Sequence, residues 1–326
     1  MSKQRTAGVF DTHRMATDDG PGMRTTLFFQ GCPMRCRWCH NPESISMASK
    51  VWSVNTKACI DCGECARVCP RKAMVSTGDG RTIDRQSCDN CGECAEVCPT
   101  HHLQSVAENW TVDQAAKFVL KDKPFYDRSG GGVTASGGEP LSHAEFVAEL
   151  FRKLQAQGVH TALDTCGLCS AEQIQSILPH TDLILWDIKT MNPEEHAAFT
   201  GVSNERILEN LLLVAEWVRN HSETDLWIRT PLAPGMTATS DTLRQIGTFL
   251  QDHLAGTVSR WDLCAFNPMA RDKYKRLGLT WELAETPLLT KDQAAELLRV
   301  AQQHAPAATD VSLGGPTQAT PLTNKA

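Results

Sequence analysis

The chain has 326 residues, of which 41% are apolar, and a formal net charge of −6 at pH 7. This length supports a full hydrophobic core, and the acidic balance argues against a nucleic-acid-binding surface. The first ten residues contain no apolar signal segment, and no apolar run approaches the roughly 18–20 residues of a membrane helix. We therefore expect a cytoplasmic protein that binds neither nucleic acid nor membrane, and we expect it to be a monomer.

The 14 cysteines are the unusual feature of the composition. In a small secreted protein they would indicate disulfides, but this chain is large, carries no export signal and groups its cysteines in C-x2-C runs. Metal ligation by thiolates is therefore favoured over disulfide formation. Such sites require a reducing and, for exposed clusters, anaerobic compartment.

The predicted elements change character twice along the chain. A Gly-rich turn at residues 19–22 is followed by an apolar run at 25–29, which we predict to be a buried strand. Residues 52–104 contain eight cysteines and few large apolar residues, so metal clusters must replace a conventional core there. From residue 111 onwards, short apolar runs alternate with amphipathic segments.

The alternating segments predict strands and helices with recognisable ends. Thr111 and Gln114 are expected to form a capping box for a helix to about residue 121, and Ser142 with Glu145 to cap the next helix, which Gly158 ends. Strands are predicted at 132–136, 161–165, 183–188, 226–230 and 261–266. A helix at 204–219 has an apolar side made of Ile207, Leu208, Leu211, Leu212, Ala215 and Val218.

Continuous apolar strands separated by amphipathic helices predict an α/β fold with a parallel sheet wrapped by helices. We count about six βα units, fewer than the eight of a closed barrel. The residues from about 305 to 326 are rich in Ala, Thr and Pro, and we expect them to form a flexible tail.

Three cysteines, Cys32, Cys36 and Cys39, follow the first predicted strand with C-x3-C-x2-C spacing. Thiolates are ligands for iron–sulfur clusters and for zinc. Three of them can hold a [4Fe–4S] cluster and leave one iron without a protein ligand, and an open metal position is where chemistry can occur. A structural zinc and a cluster completed by a distant cysteine are the alternatives. The position after a strand favours an active site.

This triplet resembles the cysteine motif of the radical S-adenosylmethionine (SAM) superfamily. The segment from Asp19 to Arg24 and the extension from Trp38 to Glu43 resemble the glycyl-radical-enzyme activating branch of that superfamily. The resemblance covers residues 8 to about 300. It implies a partial (β/α)6 barrel, in which the amino and carboxylate groups of SAM chelate the open iron.

Residues 59–70 and 88–99 each follow the pattern C-x2-C-x2-C-x3-C-P. In bacterial two-cluster ferredoxins the fourth cysteine of each run ligates the other cluster. The two predicted [4Fe–4S] ligand sets are therefore crossed: Cys59, Cys62, Cys65 and Cys98 form one, and Cys69, Cys88, Cys91 and Cys94 form the other. Zinc is the alternative, and the two identical copies disfavour it.

We accordingly divide the chain into a barrel formed by residues 1–51 and 105–304 and a ferredoxin-like insert at 52–104. The insert either relays electrons to the first cluster, or stabilises the domain and docks a partner. Relay is the favoured interpretation.

Polar motifs also follow the later strands. A Gly-Gly pair is most often an ordinary turn, but Gly137 and Gly138 come directly after a strand, where glycine lets the backbone approach a ligand closely. A buried carboxylate at a strand end needs a partner, so an ion pair between Asp187 and Lys189, or a helix cap, is the alternative to a binding role. For Arg229 a structural ion pair is as well supported as a ligand contact.

The resemblance implies which residues surround SAM. The implied contacts are Trp38, Cys39, His40, Gly137, Gly138, Glu139, Asp187, Ile188, Lys189, Arg229 and Asn267. It also suggests oxygen ligands for a monovalent cation near the methionyl carboxylate: Asp164, Thr165 and Asp187. Many relatives carry histidine where this chain has Asn267, which places the adenosine contact there in doubt. The remaining cysteines, Cys166, Cys169 and Cys264, are expected to be small buried apolar residues.

The resemblance implies an activating enzyme that cleaves SAM reductively to a 5′-deoxyadenosyl radical. This radical takes hydrogen from a backbone glycine in the C-terminal loop of a partner glycyl radical enzyme. Relatives with such an insert serve glycerol or propanediol dehydratases, choline lyase, isethionate sulfite-lyase, hydroxyproline dehydratase and arylacetate decarboxylases. The expected electron donor is a flavodoxin or ferredoxin. A radical enzyme for a small molecule or peptide, and an electron-transfer iron–sulfur protein, are the alternatives.

Overall fold

The computed structural model describes residues 4–54, 56–78 and 80–319 and contains a central nine-stranded sheet. Its strands lie side by side in the order β13 (Asp310–Gly314), β12 (Arg260–Ala265), β11 (Asp225–Leu232), β10 (Leu183–Asp187), β9 (His160–Thr165), β8 (Gly132–Gly137), β2 (Arg24–Phe29), β1 (Thr6–Ala16) and β7 (Glu108–Thr111). The seven strands from β13 to β2 pair in parallel, whereas β1 is antiparallel to both β2 and β7. The carboxyl ends of the parallel strands therefore meet at one edge of the sheet.

Helices follow the strands of this sheet. They are α3 (Val112–Val119), α4 (Lys123–Ser129), α5 (Ala144–Gln155), α6 (Ala171–Ile177), α7 (Pro193–Thr200), α8 (Glu205–Asn220), α9 (Ser240–Leu254), α10 (Arg271–Arg276) and α11 (Lys291–His304). The apolar face of α5 is buried against strand residues, with the rings of Phe146 and Phe29 5.8 Å apart. Within the described chain, no helix combines the length and apolar composition needed to cross a lipid bilayer.

The insert is built from short elements. They are β3 (Val51–Ser53), α1 (Glu64–Val68), β4 (Met74–Thr77), β5 (Gly80–Ile83), α2 (Glu93–Glu96) and β6 (Leu103–Ser105). The strands β3 and β6 pair antiparallel where the chain enters and leaves the insert, and β4 pairs with β5. The helices α1 and α2 begin just before the third cysteine of each run.

Alternation along the strands separates an apolar face from a partly polar one. In β10, Ile184 and Trp186 join the core formed with the helices, whereas Leu183 and Leu185 lie on the opposite face. On that second face Asp187 lies next to Arg229 of β11. This face therefore carries charged side chains at the carboxyl edge of the sheet.

The strands predicted at 25–29, 132–136, 161–165, 183–188, 226–230 and 261–266 are confirmed to within two residues. The capping box of Thr111 and Gln114 is also confirmed, because Thr111 Oγ1 accepts from the Gln114 amide and Gln114 Oε1 from the Thr111 amide. The helix predicted at 204–219 is α8.

Two local predictions were wrong. Ser142 does not cap α5: it lies within a 3-10 turn, Pro140–His143, in which the Glu139 carboxylate accepts from the Leu141 amide. Leu212 of α8 is 41% exposed, and Asn210 and Val214 are buried instead, because the buried stripe is rotated from the predicted one.

The flexible tail predicted at 305–326 was also wrong for its described part. Residues 310–314 form β13, which pairs in parallel with β12 and extends the sheet. Gln318 then pairs with Thr290 at the start of α11. Residues 320–326 lie outside the described part of the chain.

Candidate active site and cysteine-lined cavities

The first cysteine loop follows β2 at the carboxyl edge of the sheet. The amide of Met34 donates to Cys32 Sγ at 3.4 Å, and the amide of Asn41 donates to Cys39 Sγ at 3.4 Å. The amide of Cys39 donates to the Cys36 carbonyl, which tightens the turn between these two residues. Backbone donors aimed at sulfur favour the thiolate form that binds metal.

The Gly137-Gly138 pair brings the end of β8 against this loop. The amide of Gly138 donates to the Phe29 carbonyl at 2.8 Å, and the amide of Glu139 donates to the Gly31 carbonyl at 2.7 Å. A Cβ atom at Gly138 would collide with the Gly31 carbonyl oxygen, and Gly137 has a φ of +115°. Only glycine therefore allows the pairing of β2 and β8 to continue up to Cys32.

The Glu139 carboxylate lies within the protein and is hydrogen-bonded on both oxygens. It accepts from the amide of Leu141 at 2.9 Å, from Thr165 Oγ1 at 2.7 Å and from the amide of Cys166 at 2.8 Å. Burial raises the pKa of the Glu139 carboxyl group. Its observed role is to join the loops after β8 and β9, and a contact with SAM stays a prediction.

Lys189 and Asp187 form an ion pair beside the cysteine loop. Lys189 Nζ lies 2.6 Å from Asp187 Oδ2, and the lysine side chain is 6% exposed. Burial disfavours the charged ammonium, but the Asp187 carboxylate and the Cys36 sulfur outweigh it and raise the pKa of Lys189. Ile188, between them, is buried in the core and donates its amide to the Arg229 carbonyl at 2.9 Å.

The Arg229 side chain connects its own strand β11 with β9 and with the Gly-rich turn. Its Nη1 lies 3.3 Å from Asp164 Oδ1 and 4.0 Å from Asp19 Oδ1. Ser136 Oγ donates to Asp164 Oδ2 and Thr26 Oγ1 donates to Asp19 Oδ2, both at 2.6 Å. Asp19 was not among the predicted site residues, although its place in the Gly-rich turn was the available signal.

The three oxygen ligands predicted for a monovalent cation each have a partner in the chain. Asp164 pairs with Arg229, Asp187 pairs with Lys189, and Thr165 bonds to Glu139. Among the residues that the structure describes, no three His, Cys, Asp or Glu side chains converge closely enough for a single metal ion. The cation therefore stays a prediction.

The end of β12 contacts the other side of the cysteine loop. His40 Nε2 is 2.8 Å from the Asn267 carbonyl oxygen, and its ring lies 6.0 Å from that of Phe266 and 6.3 Å from that of Trp281. The Asn267 side chain accepts from the Met269 amide at 3.1 Å. Two of the predicted SAM contacts, His40 and Asn267, are thus brought together.

Trp38 lies in a second apolar cluster, separate from the main core. The buried members of this cluster are Trp38, Ala233, Met236, Phe266, Ala270, Tyr274, Trp281 and Leu283. Cys36 is partly buried against it. The cluster therefore supports the cysteine loop from the side of β11 and β12.

Helix α10 clamps the residues that follow Cys39, and the sequence analysis did not assign it to the site. Lys273 Nζ donates to Asn41 Oδ1 at 2.8 Å and lies 2.6 Å from Glu43 Oε1. Tyr274 Oη donates to the Cys39 carbonyl at 3.1 Å. Glu43 is 1% exposed, so Lys273 provides the charge that its buried carboxylate requires.

The insert contains two cysteine-lined cavities. Cys69, Cys88, Cys91 and Cys94 line the first of these, and Cys59, Cys62, Cys65 and Cys98 line the second. In each cavity the fourth cysteine of one run joins three cysteines of the other run. Backbone amides again point at sulfur, from Ala73 to Cys69 at 3.2 Å and from Asn90 to Cys88 at 3.4 Å. We call these cavities the 88-site and the 59-site.

The three remaining cysteines lie in different environments. Cys166 is buried, and its interaction with Cys32 lowers the pKa of the Cys32 thiol. Cys169 is half-buried beside the Gly167 carbonyl and the Asn210 amide group. Cys264 of β12 is half-buried. The proximity of Cys166 to Cys32 joins residues 134 positions apart, so no local signal indicated it.

Comparisons with known proteins agree with this architecture. The radical SAM superfamily matches residues 26–244. The (2S)-3-sulfopropanediol dehydratase activating enzyme of Klebsiella oxytoca is 37% identical over 280 residues, covering 84% of this chain and 86% of that protein. The isethionate sulfite-lyase activating enzyme of Desulfovibrio desulfuricans is 36% identical over 285 residues, covering 86% and 89%.

A solved structure extends the likeness of the fold. The radical SAM methyltransferase from Sphaerobacter thermophilus superposes with a TM-score of 0.51 at 14% identity. The match covers 95% of this chain and 78% of that one. At this identity the likeness bears on the fold alone.

Proposed function

This chain belongs to the radical SAM superfamily and, within it, to the activating enzymes of glycyl radical enzymes, and from that premise we propose that Cys32, Cys36 and Cys39 hold a [4Fe–4S] cluster with one open iron. The supporting observation is the loop itself, which presents three cysteines and directs amides at two of their sulfurs. This donor set fits a cluster that keeps one corner for a ligand. When the cluster and SAM are both bound at this loop, the reduced cluster and SAM together would supply the 5′-deoxyadenosyl radical that removes hydrogen from a glycine of the partner.

The surrounding residues would bind and orient SAM. Gly137 and Gly138 bring backbone close to the open corner, where the amino and carboxylate groups of the methionyl part would lie. Lys189 and Arg229 supply buried positive charge on the same edge of the sheet, each balanced by a carboxylate. A monovalent cation at Asp164, Thr165 and Asp187 would compete with Lys189 and Arg229 for those carboxylates.

The adenosine part of SAM would lie on the side of β12. His40, Asn267 and the aromatic cluster around Trp38 border that side. On the side of β8 and β9, Glu139 would hold the loops after these two strands in place, because both of its carboxylate oxygens are already bonded. Ile188 would contribute its backbone to the SAM site, and its side chain is buried in the core.

Two domains are proposed. Residues 1–51 and 105–304 would form a partial (β/α)6 barrel, which β13 extends beyond its predicted end. Residues 52–104 would form a ferredoxin-like insert with two further [4Fe–4S] clusters. The crossed lining of the 88-site and the 59-site supports this proposal, since two-cluster ferredoxins exchange their fourth cysteines in the same way.

The substrate would be the C-terminal glycine loop of a partner enzyme. Relatives named for a sulfopropanediol dehydratase and for an isethionate sulfite-lyase support a dehydratase or a C–N or C–S lyase as that partner. We propose that a flavodoxin or ferredoxin supplies the electron and that the activating enzyme is a monomer.

The test uses anaerobically reconstituted protein. About 12 irons per chain are expected for three [4Fe–4S] clusters, with reductive cleavage of SAM to 5′-deoxyadenosine. Addition of a candidate partner enzyme should then produce a glycyl radical signal in electron paramagnetic resonance (EPR). Full iron loading without any SAM cleavage would instead support an electron-transfer protein. Cleavage without a glycyl radical on any dehydratase or lyase partner would favour a small-molecule or peptide substrate.

A further inference from the structure

We propose that the 88-site is the insert's inner metal site, and that Arg85 and helix α10 connect it to the first cysteine loop as the route of electron entry. The inference rests on the proposed function, because it requires clusters at all three cysteine sets. It orders the insert's two sites, which nothing in their identical spacing distinguishes.

The pairing of β3 with β6 supplies the order. These strands connect the insert to the sheet domain. Val51 pairs with Ser105 at the end of the ladder nearer the sheet domain, and Ser53 pairs with Leu103 at the end farther from it. Val51 lines the 88-site, whereas Leu103 lines the 59-site. The 88-site is therefore the one on the side of the sheet domain.

Arg85 bridges the insert and the sheet domain at this place. It lies three residues before Cys88 and is half-buried. One guanidinium nitrogen donates to the Val51 carbonyl at 2.5 Å, and the other donates to the Arg276 carbonyl at the end of α10 at 3.2 Å. The guanidinium thus contacts both the wall of the 88-site and the helix.

Helix α10 extends the connection to the first cysteine loop. The guanidinium of Arg276 lies 5.4 Å from the ring of Trp52 in β3. Two residues earlier, Tyr274 Oη donates to the Cys39 carbonyl at 3.1 Å. A helix of six residues therefore contacts the 88-site bridge at one end and a proposed cluster ligand near its middle.

The 59-site has the features of an outer site. Ile60, which follows the ligand Cys59 directly and lines the 59-site, has 65% of its surface in solvent. An exposed apolar side chain next to a cluster ligand suits brief contact with a one-electron donor protein. Each transfer along the route moves one electron, oxidises the donor site and reduces the acceptor site, and neither makes nor breaks a bond until SAM is cleaved.

The first test measures order in the reduced holoprotein. Pulsed EPR reports the magnetic coupling between the first cluster and the insert clusters. Cys91→Ser alters a ligand of the 88-site and Cys62→Ser a ligand of the 59-site, and both cysteines are exposed. We expect Cys91→Ser to change the strongest coupling and Cys62→Ser to leave it unchanged. The opposite pattern, or equal effects, would overturn the order.

The second test isolates the bridge with Arg85→Ala and a matched control. Arg71→Ala also removes a positive charge next to the 88-site, where Arg71 pairs with the wall residue Asp89 at 3.4 Å, but this ion pair lies within the insert and does not involve α10. After mixing with reduced flavodoxin or ferredoxin, rapid-freeze EPR follows reduction of the first cluster. We expect slower reduction in Arg85→Ala and an unchanged rate in Arg71→Ala.

Iron content and a small reductant separate the ways in which this can fail. If Arg85→Ala loses iron, Arg85→Gln takes the place of Arg85→Ala in the comparison, because glutamine keeps a hydrogen-bond donor without the positive charge. Dithionite-driven SAM cleavage by the unsubstituted protein tests the proposed function independently of the bridge. Cleavage with equal reduction rates in the Arg85 and Arg71 variants would overturn the bridge alone, whereas no cleavage would overturn the proposed function.

Discussion

The sheet domain buries a continuous apolar core that extends from Leu27 and Phe29 of β2 to Leu297 and Val300 of α11. By contrast, the apolar cluster of the insert has, in the ranges that the structure describes, five buried members: Val51, Cys65, Ile83, Cys94 and Leu103. Two of these are cysteines of the proposed cluster sites. Apolar burial can stabilise the sheet domain by itself, whereas we propose that the insert depends on clusters in place of a core.

The first cysteine loop and the two insert sites differ in the same way as the two regions that contain them. The first loop is supported by α10, by the Gly-Gly turn after β8 and by an aromatic cluster. The two insert sites are lined mainly by their own short runs. The first site is therefore held by the packing of the sheet domain, whereas we propose that the insert sites hold their own segment together.

The largest expected effect comes from Cys36→Ala. This change removes one of the three ligands of the first loop and should abolish SAM cleavage, while the insert keeps about 8 of about 12 irons. Iron analysis, EPR and 5′-deoxyadenosine assay measure these outcomes. Retained cleavage, or loss of iron from all three sites together, would break the distinction between the two regions.

Removal of iron from the whole protein should affect the two regions unequally. Because cluster binding replaces a core in the insert, chelation should abolish amide protection at residues 52–104 and preserve it in β8 to β12. Hydrogen exchange followed by mass spectrometry measures both regions in one sample. Protection that survives in the insert would show that its fold does not depend on clusters.

A substitution in the sheet core tests the other half of the comparison. Leu150→Ala removes a side chain with no exposed surface and should lower the free energy of unfolding by about 2–5 kcal/mol. Leu212→Ala is the matched control on an exposed face of α8, where a change within about 0.5 kcal/mol is expected. Denaturant titration gives both values, and equal effects would contradict the observed burial.

The smallest effect is expected at Asp122, whose buried carboxylate accepts from Thr25 Oγ1 at 2.7 Å and pairs with Arg14. Asp122→Asn should cost about 1–3 kcal/mol of stability at neutral pH. The Arg14 hydrogen bond lowers the pKa of Asp122 below its ordinary value of 3.8. Its stabilising contribution is therefore present above that value and is lost as pH falls through the folded-state pKa.

Unfolding measured from pH 7 to pH 3 should thus show the Asp122→Asn difference shrinking toward acid. The difference should not depend on iron, because Asp122 belongs to the sheet domain. A difference that grows as pH falls would show that the carboxyl group is not stabilised in its charged form.

Much of the fold could be predicted because its signals are local. Residues 183–186, for example, are apolar without interruption, which is typical of a strand buried on both faces. The crossed cysteine sets could likewise be predicted, since two identical runs of a known spacing limit the pairings. The structure brings the same eight residues into two cavities.

The errors concern contacts that join distant parts of the chain. Residues 310–314 form a strand because they pair with β12. Their own sequence contains just two large apolar residues, Val311 and Leu313, which is too weak a pattern to predict a strand. The cap was predicted to be Ser142, but the Glu139 carboxylate forms it. The position of Glu139 is determined by the loop after β9 as well as by the turn that contains Glu139.

Taken alone, the sequence determined the strands, the cysteine sets and the family of the chain, because periodicity, spacing and motifs are properties of short segments. The tertiary structure alone decided which polar groups meet: Lys273 with Glu43, Tyr274 with Cys39, and Arg85 with Arg276. Each of these pairs joins helix α10 to a residue far away in the sequence, and their approach depends on the packing of the elements between them, so no local pattern carries that information.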